Sequence, residues 1–223
     1  MVRSSSIARP GPAGGRRDLN RQKRRSDIAA AGLELFLARG IEAVAIDDIV
    51  KKAGVAKGSF YRYFRDKADL VEAILEPVSR GMQDAFSRGT DALGAARDRQ
   101  KLVAAYQILA QSLAMSVMAR PAVARLYLQE SRAPRHGAAR PVRRLADLIA
   151  REALALTRIA RENHLLRPVD PVVSSLAVIG AVERLLFGVL AEQVPLNPIS
   201  ASGELISMVL DGLRPPATAD RGR

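Results

Sequence analysis

Apolar residues recur along this chain at helical period, in runs separated by single breakers. In "DIAAAGLELFLARG", Ile28, Ala31, Gly32, Leu35 and Phe36 fall at i, i+3, i+4, i+7 and i+8, one face of a helix that Gly40 then caps. A second, short helix spans Ile46 to Lys52, with Asp47 and Asp48 in its first turn, where carboxylates complement the positive end of the dipole. Gly54 stops it, and a third short helix runs from about Lys57 to Phe64. Asp66 caps a fourth, with Asp69 three residues on as a capping-box-like partner. This fourth helix covers roughly Lys67 to Arg88 and holds Pro77 well inside it. A proline there removes a backbone donor and crowds the preceding turn, which predicts a kink near Ala73 to Pro77.

Beyond Gly94 no run alternates β-branched with polar residues, and the breakers sit at helix-length intervals. Leu102, Tyr106, Leu109, Leu113 and Val117 form one stripe that ends near Arg120-Pro121. Val123 to Arg132 is a shorter helix, and "APRHGAARP" is a loop. Leu145, Leu148, Ile149, Leu156 and Ile159 support a long helix ending near "ENHLLRPVDP", and Val172 to Gln193 and Glu204 to Leu213 complete the set. The pattern predicts an all-α chain of about nine helices without internal repeats. Only the ends, Met1 to about Arg17 and Pro215 to Arg223, read as unstructured.

Composition narrows the function classes. With 48% hydrophobic and 26% charged residues in 223, the chain can bury a core. It has no cysteine, which excludes disulfides, thiolate nucleophiles and cysteine-ligated zinc. His136 and His164 are too few and too far apart for a metal site and read as solvated or helix-terminal. No GxSxG and no phosphate-cradling glycine loop is present, so enzyme chemistry and a cofactor have no support. "SSSIARPGPAGGRR" lacks the apolar core of a secretory signal, and a cytoplasmic location is expected. The best membrane candidate, Val172 to Val194, carries Glu183 and Arg184 at its centre. Each costs about 2.5–3.5 kcal/mol at mid-membrane, so a buried helix off the membrane is the expectation.

The formal charge is +12. Residues 1–25 hold eight basic side chains against the lone Asp18, while residues 26–67 carry seven basic and six acidic ones. Such an arm has two readings, a phosphate-seeking tail and a solubilising end.

The stretch "IDDIVKKAGVAKGSFYRYFRDKADL" concentrates the chemistry. On helices, Val55, Phe60 and Phe64 join Ile49 and Val50 in one small core, leaving Lys57, Ser59, Arg62 and parts of Tyr61 and Tyr63 outside. Gly54 supplies the left-handed turn and Ala53 the close approach that two crossing helices need. A bare glycine-linked helix pair is more often only a small core. Here the outward residues are cationic or hydroxylated and a basic arm precedes them, which favours a helix-turn-helix entering the major groove of duplex DNA.

This stretch resembles the N-terminal signature of the tetracycline-repressor (TetR) family of bacterial transcriptional regulators. The likeness spans about Asp27 to Leu75 and includes the glycine turn, "KGSFYRYF" and the "DKADL" opening of helix four. It implies that Lys57, Gly58, Ser59, Tyr61, Arg62 and Tyr63 occupy DNA-contacting positions of a recognition helix, and that Lys67 is a phosphate-binding lysine. Ala45 departs from the family's frequent threonine, losing a cap worth about 1 kcal/mol and any contact its hydroxyl would make.

The resemblance further implies a homodimer that binds a palindromic operator and is released by a small-molecule effector, with no metal and no membrane partner. The implied organisation is a basic disordered arm at 1–21, a three-helix DNA-binding domain at 22–66, a helical effector-binding and dimerisation domain at 67–214 and a disordered tail at 215–223. In the penultimate helix the small face of Ala177, Ala181, Arg184, Gly188 and Ala191 suits close approach of a partner helix or of a neighbour in the same chain. Glu183 lies on the apolar stripe instead, as a pocket or interface carboxylate or at a wet edge. The rival reading is a nucleoid-type protein binding DNA without sequence preference.

Overall fold

The computed structural model describes residues 15–132 and 137–212. The arm before Gly15, with Arg3 and Arg9, the loop residue His136 and the tail from Pro215 lie outside the described residues. Among those described, the chain forms α-helices and one short 3-10 turn, with no strand.

The head consists of α1 (Arg16–Arg39), α2 (Ile46–Lys52) and α3 (Lys57–Tyr63). Gly40 follows α1 at φ +81 and its N–H closes on the Phe36 carbonyl at 2.8 Å. At the end of α2, Gly54 takes φ +64. The Val55 N–H bonds back to the Val50 carbonyl (3.0 Å) and the Gly54 N–H to that of Lys51 (3.3 Å), a Schellman turn that swings the chain into α3. Ile28, Phe36, Ile41, Val44, Ile49, Phe60 and Phe64 close the head core with essentially no solvent exposure.

The body comprises α4 (Lys67–Ala95), α5 (Arg99–Met118), α6 (Pro121–Glu130), the 3-10 turn Gly137–Ala139, α7 (Arg140–Glu162), α8 (Pro171–Leu190) and α9 (Pro198–Gly212). Helix α4 is its spine, packed on α5 and α7, while α8 leans on α6, α7 and α9. Asp66, Asp98 and Asp170 cap α4, α5 and α8 by accepting backbone N–H bonds in the first turn. Helix α7 ends in a second Schellman turn with His164 in the left-handed position, the helix-terminal role expected of that histidine.

Four elements differ from the sequence expectation. Helix α1 begins at Arg16 rather than near Asp27, so positions 16–21, expected in a disordered arm, are helical. No apolar stripe marks these positions, but Arg and Leu are strong helix formers and Asp18 suits the first turn. Helix α4 runs on to Ala95, past the end expected near Arg88, with Pro77 inside it on the solvent face. Helix α6 starts at Pro121, whose missing N–H costs nothing at the first helical position. Helix α8, expected to be buried, has only Ser175 and Gly188 fully covered, because its neighbours pack against one side of it.

Candidate nucleic-acid interface

Phe60 and Phe64 point into the head core and fix the rotation of α3. Lys57, Gly58, Tyr61 and Arg62 are consequently exposed, Tyr61 by 52% of its surface, and Ser59 and Tyr63 are half-buried at the flanks. Tyr61 sets its ring edge-on to Phe60, with centroids 5.4 Å apart, so its orientation is braced from below. A Cβ added to Gly58 would meet no other atom of the chain, so the fold itself has no need of glycine there. Close approach of something outside the chain is what an absent side chain at an exposed helix start permits.

The cations of this surface are not equivalent. The Lys57 Nζ donates to Asp47 Oδ1 at 2.7 Å, and this hydrogen bond with its ion-pair attraction holds the ammonium above the ordinary lysine pKa. Arg62 has no ion pair among the described residues and is free to meet a partner. Lys67 is placed differently from its six companions. Its Nζ turns inward and donates to the carbonyls of Ile41 (2.7 Å), Glu42 (3.0 Å) and Val44 (2.9 Å). An ammonium has three donors, and all three serve the α1–α2 turn. In this arrangement Lys67 is a brace rather than an open phosphate ligand.

The start of α2 matches the expectation drawn from Ala45. The Ala45 N–H donates to Asp48 Oδ2 at 3.3 Å, but the methyl side chain returns nothing to the orphan N–H groups of the first turn. At the start of α4 the reciprocal bond is shifted by one residue. The Asp69 N–H donates to Asp66 Oδ1 at 2.7 Å, while Asp69 Oδ2 accepts from the Arg65 backbone N–H at 2.9 Å. The side-chain hydrogen bond from Arg65, with that backbone bond, holds the Asp69 carboxyl below the usual carboxylate range.

Several residues of this region escaped the sequence reading. Arg25 places its guanidinium 5.3 Å from the centre of the Phe64 ring, tying α1 to the end of α3. Glu42 accepts from the Ala139 N–H at 3.1 Å, and Glu130 from the Ile41 N–H at 3.2 Å, so the body grips the α1–α2 turn from two sides. These partners lie 97 and 89 residues apart in sequence, and no local pattern announces them.

In the body, Glu183 bonds within the chain. The Tyr127 hydroxyl donates to Glu183 Oε1 at 2.7 Å, and burial together with this carboxylate pushes the tyrosine pKa upward, so it remains a donor. An open cleft of about 490 Å³ between α4 and α7 includes Arg65, Asp69, Glu72, Arg143 and Arg144. Its charges are largely matched, as in the Arg144–Glu72 pair at 2.9 Å and the Arg65–Asp69 pair at 3.2 Å. Among the described residues no cluster of His, Cys, Asp and Glu could hold a metal ion.

A family model described as bacterial regulatory proteins of the tetR family matches residues 28–74, the head and the start of α4. The chain is 45% identical over 67 residues to the transcriptional regulator AcuR of Cereibacter sphaeroides, covering 28% of this chain and 31% of AcuR. It is 37% identical over 103 residues to the HTH-type transcriptional activator FasR of Mycolicibacterium smegmatis, covering 43% and 44%. The matched segments thus span less than half the length of these curated relatives. In overall fold the chain is similar to NalD, the secondary repressor of the MexAB-OprM multidrug efflux pump in Pseudomonas aeruginosa, with a TM-score of 0.66 at 20% identity over 89% of this chain and all of NalD. It is also similar to the fatty acid degradation regulator FadR from Bacillus halodurans, with a TM-score of 0.65 at 18% identity over 85% and 99%. The head thus carries the domain described for the tetR family of bacterial regulatory proteins, on a body whose helices are arranged as in these solved regulators.

Proposed function

We propose that this protein is a DNA-binding transcriptional regulator that acts in the cytoplasm as a homodimer on a palindromic operator, most simply as a repressor released by a small-molecule effector. The observation that carries the DNA reading is the division of α3, with two phenylalanines locked in the core beneath Lys57, Gly58, Tyr61 and Arg62. Arg62 is the side chain for direct base readout, because a guanidinium fits the O6 and N7 acceptors of guanine in the major groove. Lys57 exchanges Asp47 for phosphate, Ser59, Tyr61 and Tyr63 offer hydroxyls to phosphates, and Gly58 admits the backbone. Lys67 contributes by holding the α1–α2 turn. The dimer reading is supported by α8, whose Val172, Val173 and Leu176 remain exposed in a single chain. Regulation is supported by the Glu42 and Glu130 contacts, through which a ligand bound in the body would bias the position of the head.

The test is Arg62→Ala, measured as binding to a duplex that the protein selects from a random pool and to an unselected duplex. The variant keeps its thermal stability and loses about 1–3 kcal/mol of discrimination, or roughly 5- to 150-fold. Undiminished preference for the selected duplex at matched salt would refute the groove assignment. Equal wild-type affinity for all duplexes would favour a nucleoid-type binder instead.

A further inference from the structure

Helix α1 leaves the head core long before it ends. Ile28 is its first buried residue, and positions 18–27 are exposed throughout. From Asp18 to Asp27 the helix extends about 15 Å with every residue exposed. A short helix unsupported by packing is marginal in water. This one also concentrates Arg16, Arg17, Arg21, Lys23, Arg24 and Arg25 against Asp18 and Asp27.

The arrangement of those cations is more specific than a basic run. Positions 21, 24, 28, 31 and 35 share one face of α1, so the stripe that is apolar in the core continues as arginines where the helix emerges. Elsewhere in the head most cations are already paired: Arg39 with Asp48, Lys52 with Glu34, Lys57 with Asp47 and Arg65 with Asp69. Arg21, Lys23 and Arg24 have no acidic partner among the described residues. Position 25 is also where α1 touches the recognition element, its guanidinium lying over Phe64 at the end of α3. The arginine stripe is therefore continuous with the proposed groove-reading surface.

We propose that the protruding start of α1 is a second DNA-contact surface, in which Arg21 and Arg24 pair with backbone phosphates flanking the groove entered by α3. This rests on the reading of the head as a DNA-binding unit. A polyanion supplies the counter-charge that these side chains lack among the described residues, and it supports a helix start that packing leaves exposed. The contacts are made to phosphates, so they add affinity without adding sequence preference.

The experiment uses the full chain and two duplexes of equal length, one selected by the protein from a random pool and one unselected. Affinity is measured across a salt series for wild type, R21Q/R24Q, K23Q and R62A. Each phosphate contact contributes about 0.9 to the slope of log K against log salt, so R21Q/R24Q flattens the slope by about 2 per bound head on both duplexes. The selected-to-unselected ratio stays as in wild type, and so does thermal stability, since neither residue reaches the core. Lys23 lies on the opposite face, and K23Q changes the slope by less than half the amount lost per arginine. An unchanged slope in R21Q/R24Q overturns the proposal, as does an equal change in K23Q, which would mark a diffuse charge effect, or a fall in the selected-to-unselected ratio, which would mark base readout. If R62A abolishes the preference while R21Q/R24Q leaves the slope intact, the groove reading stands and this one fails. A wild type without preference for any duplex sinks the groove reading itself.

Discussion

The head and the end of the body treat apolar surface in opposite ways. In the head, Ile28, Phe36, Ile49 and Phe60 have no exposure, and the surface above them is made of lysine, arginine, tyrosine and serine. In α8, a helix dominated by Val, Leu, Ile, Ala and Gly, Val173 is 67% and Leu176 57% exposed. The head completes its core within one chain and offers polar groups to a partner. The body leaves apolar groups uncovered, each forfeiting part of the roughly 1.5–3 kcal/mol that full burial of such a side chain provides. The contrast supports the proposed reading, in which the head meets a polyanion and the exposed side of α8 meets an apolar surface.

The largest expected effect comes from breaking the apolar side. V173E/L176R places two charges where a second copy would pack, and sedimentation should show a species near the monomer mass of 24.1 kDa. Operator affinity should fall by more than about 100-fold, since two linked heads gain that order of avidity over one. A variant that remains dimeric would assign the exposed face of α8 to some other contact.

Next comes the spine that joins the two regions. Pro77 leaves the Ala73 carbonyl without its helical donor, so Pro77→Ala should raise thermal stability, by up to about 3 kcal/mol. If the proline also sets the distance between heads, the variant should prefer a different half-site spacing in a series of duplexes with inserted base pairs. A raised melting temperature with the same spacing optimum would mean that Pro77 only wraps α4 around the core.

Smaller again is the junction. Gly137 sits at φ +78, and a Cβ there would collide with the Glu42 carboxylate. Gly137→Ala should therefore cost about 1–3 kcal/mol through backbone strain and loss of the Glu42–Ala139 bond. Calorimetry should show the head and body melting less cooperatively than in wild type. A single unchanged transition would show that this grip is dispensable.

What was legible in the sequence follows the same division. The boundaries of α2 and α3 and the cap at Asp66 were readable because glycine, aspartate and the apolar spacing act within a few residues. The inward turn of Lys67 was not, because it depends on carbonyls 23 to 26 residues away that converge only when α1, α2 and α4 pack. Glu183 stayed ambiguous for the same reason, its partner Tyr127 lying 56 residues back. The start of α1 was missed because a helix that buries nothing carries no apolar period, and only the spacing of Arg21 and Arg24 ahead of Ile28 hinted at it. The exposure of α8 was misjudged because hydropathy reports that a helix seeks cover and does not report whether its own chain provides it.

The smallest effect tests the polar side at one atom. Ala45 occupies the N-cap of α2 with extended backbone, φ −84 and ψ 154, a conformation threonine adopts readily. Asp48 already accepts from the Ala45 N–H at 3.3 Å, which is half of a capping box. Ala45→Thr adds the other half, a hydroxyl that accepts from the N–H of Asp48, and should stabilise the head by about 1 kcal/mol. Ala45→Val, of similar shape without the hydroxyl, should give no such gain and separates the cap from simple packing. If the threonine hydroxyl also reaches a phosphate, operator affinity rises with stability and the salt slope steepens by roughly 0.9 per head. A gain in stability with an unchanged slope confines the role of position 45 to capping, and equal behaviour of the two variants would show that this helix start is already satisfied by solvent.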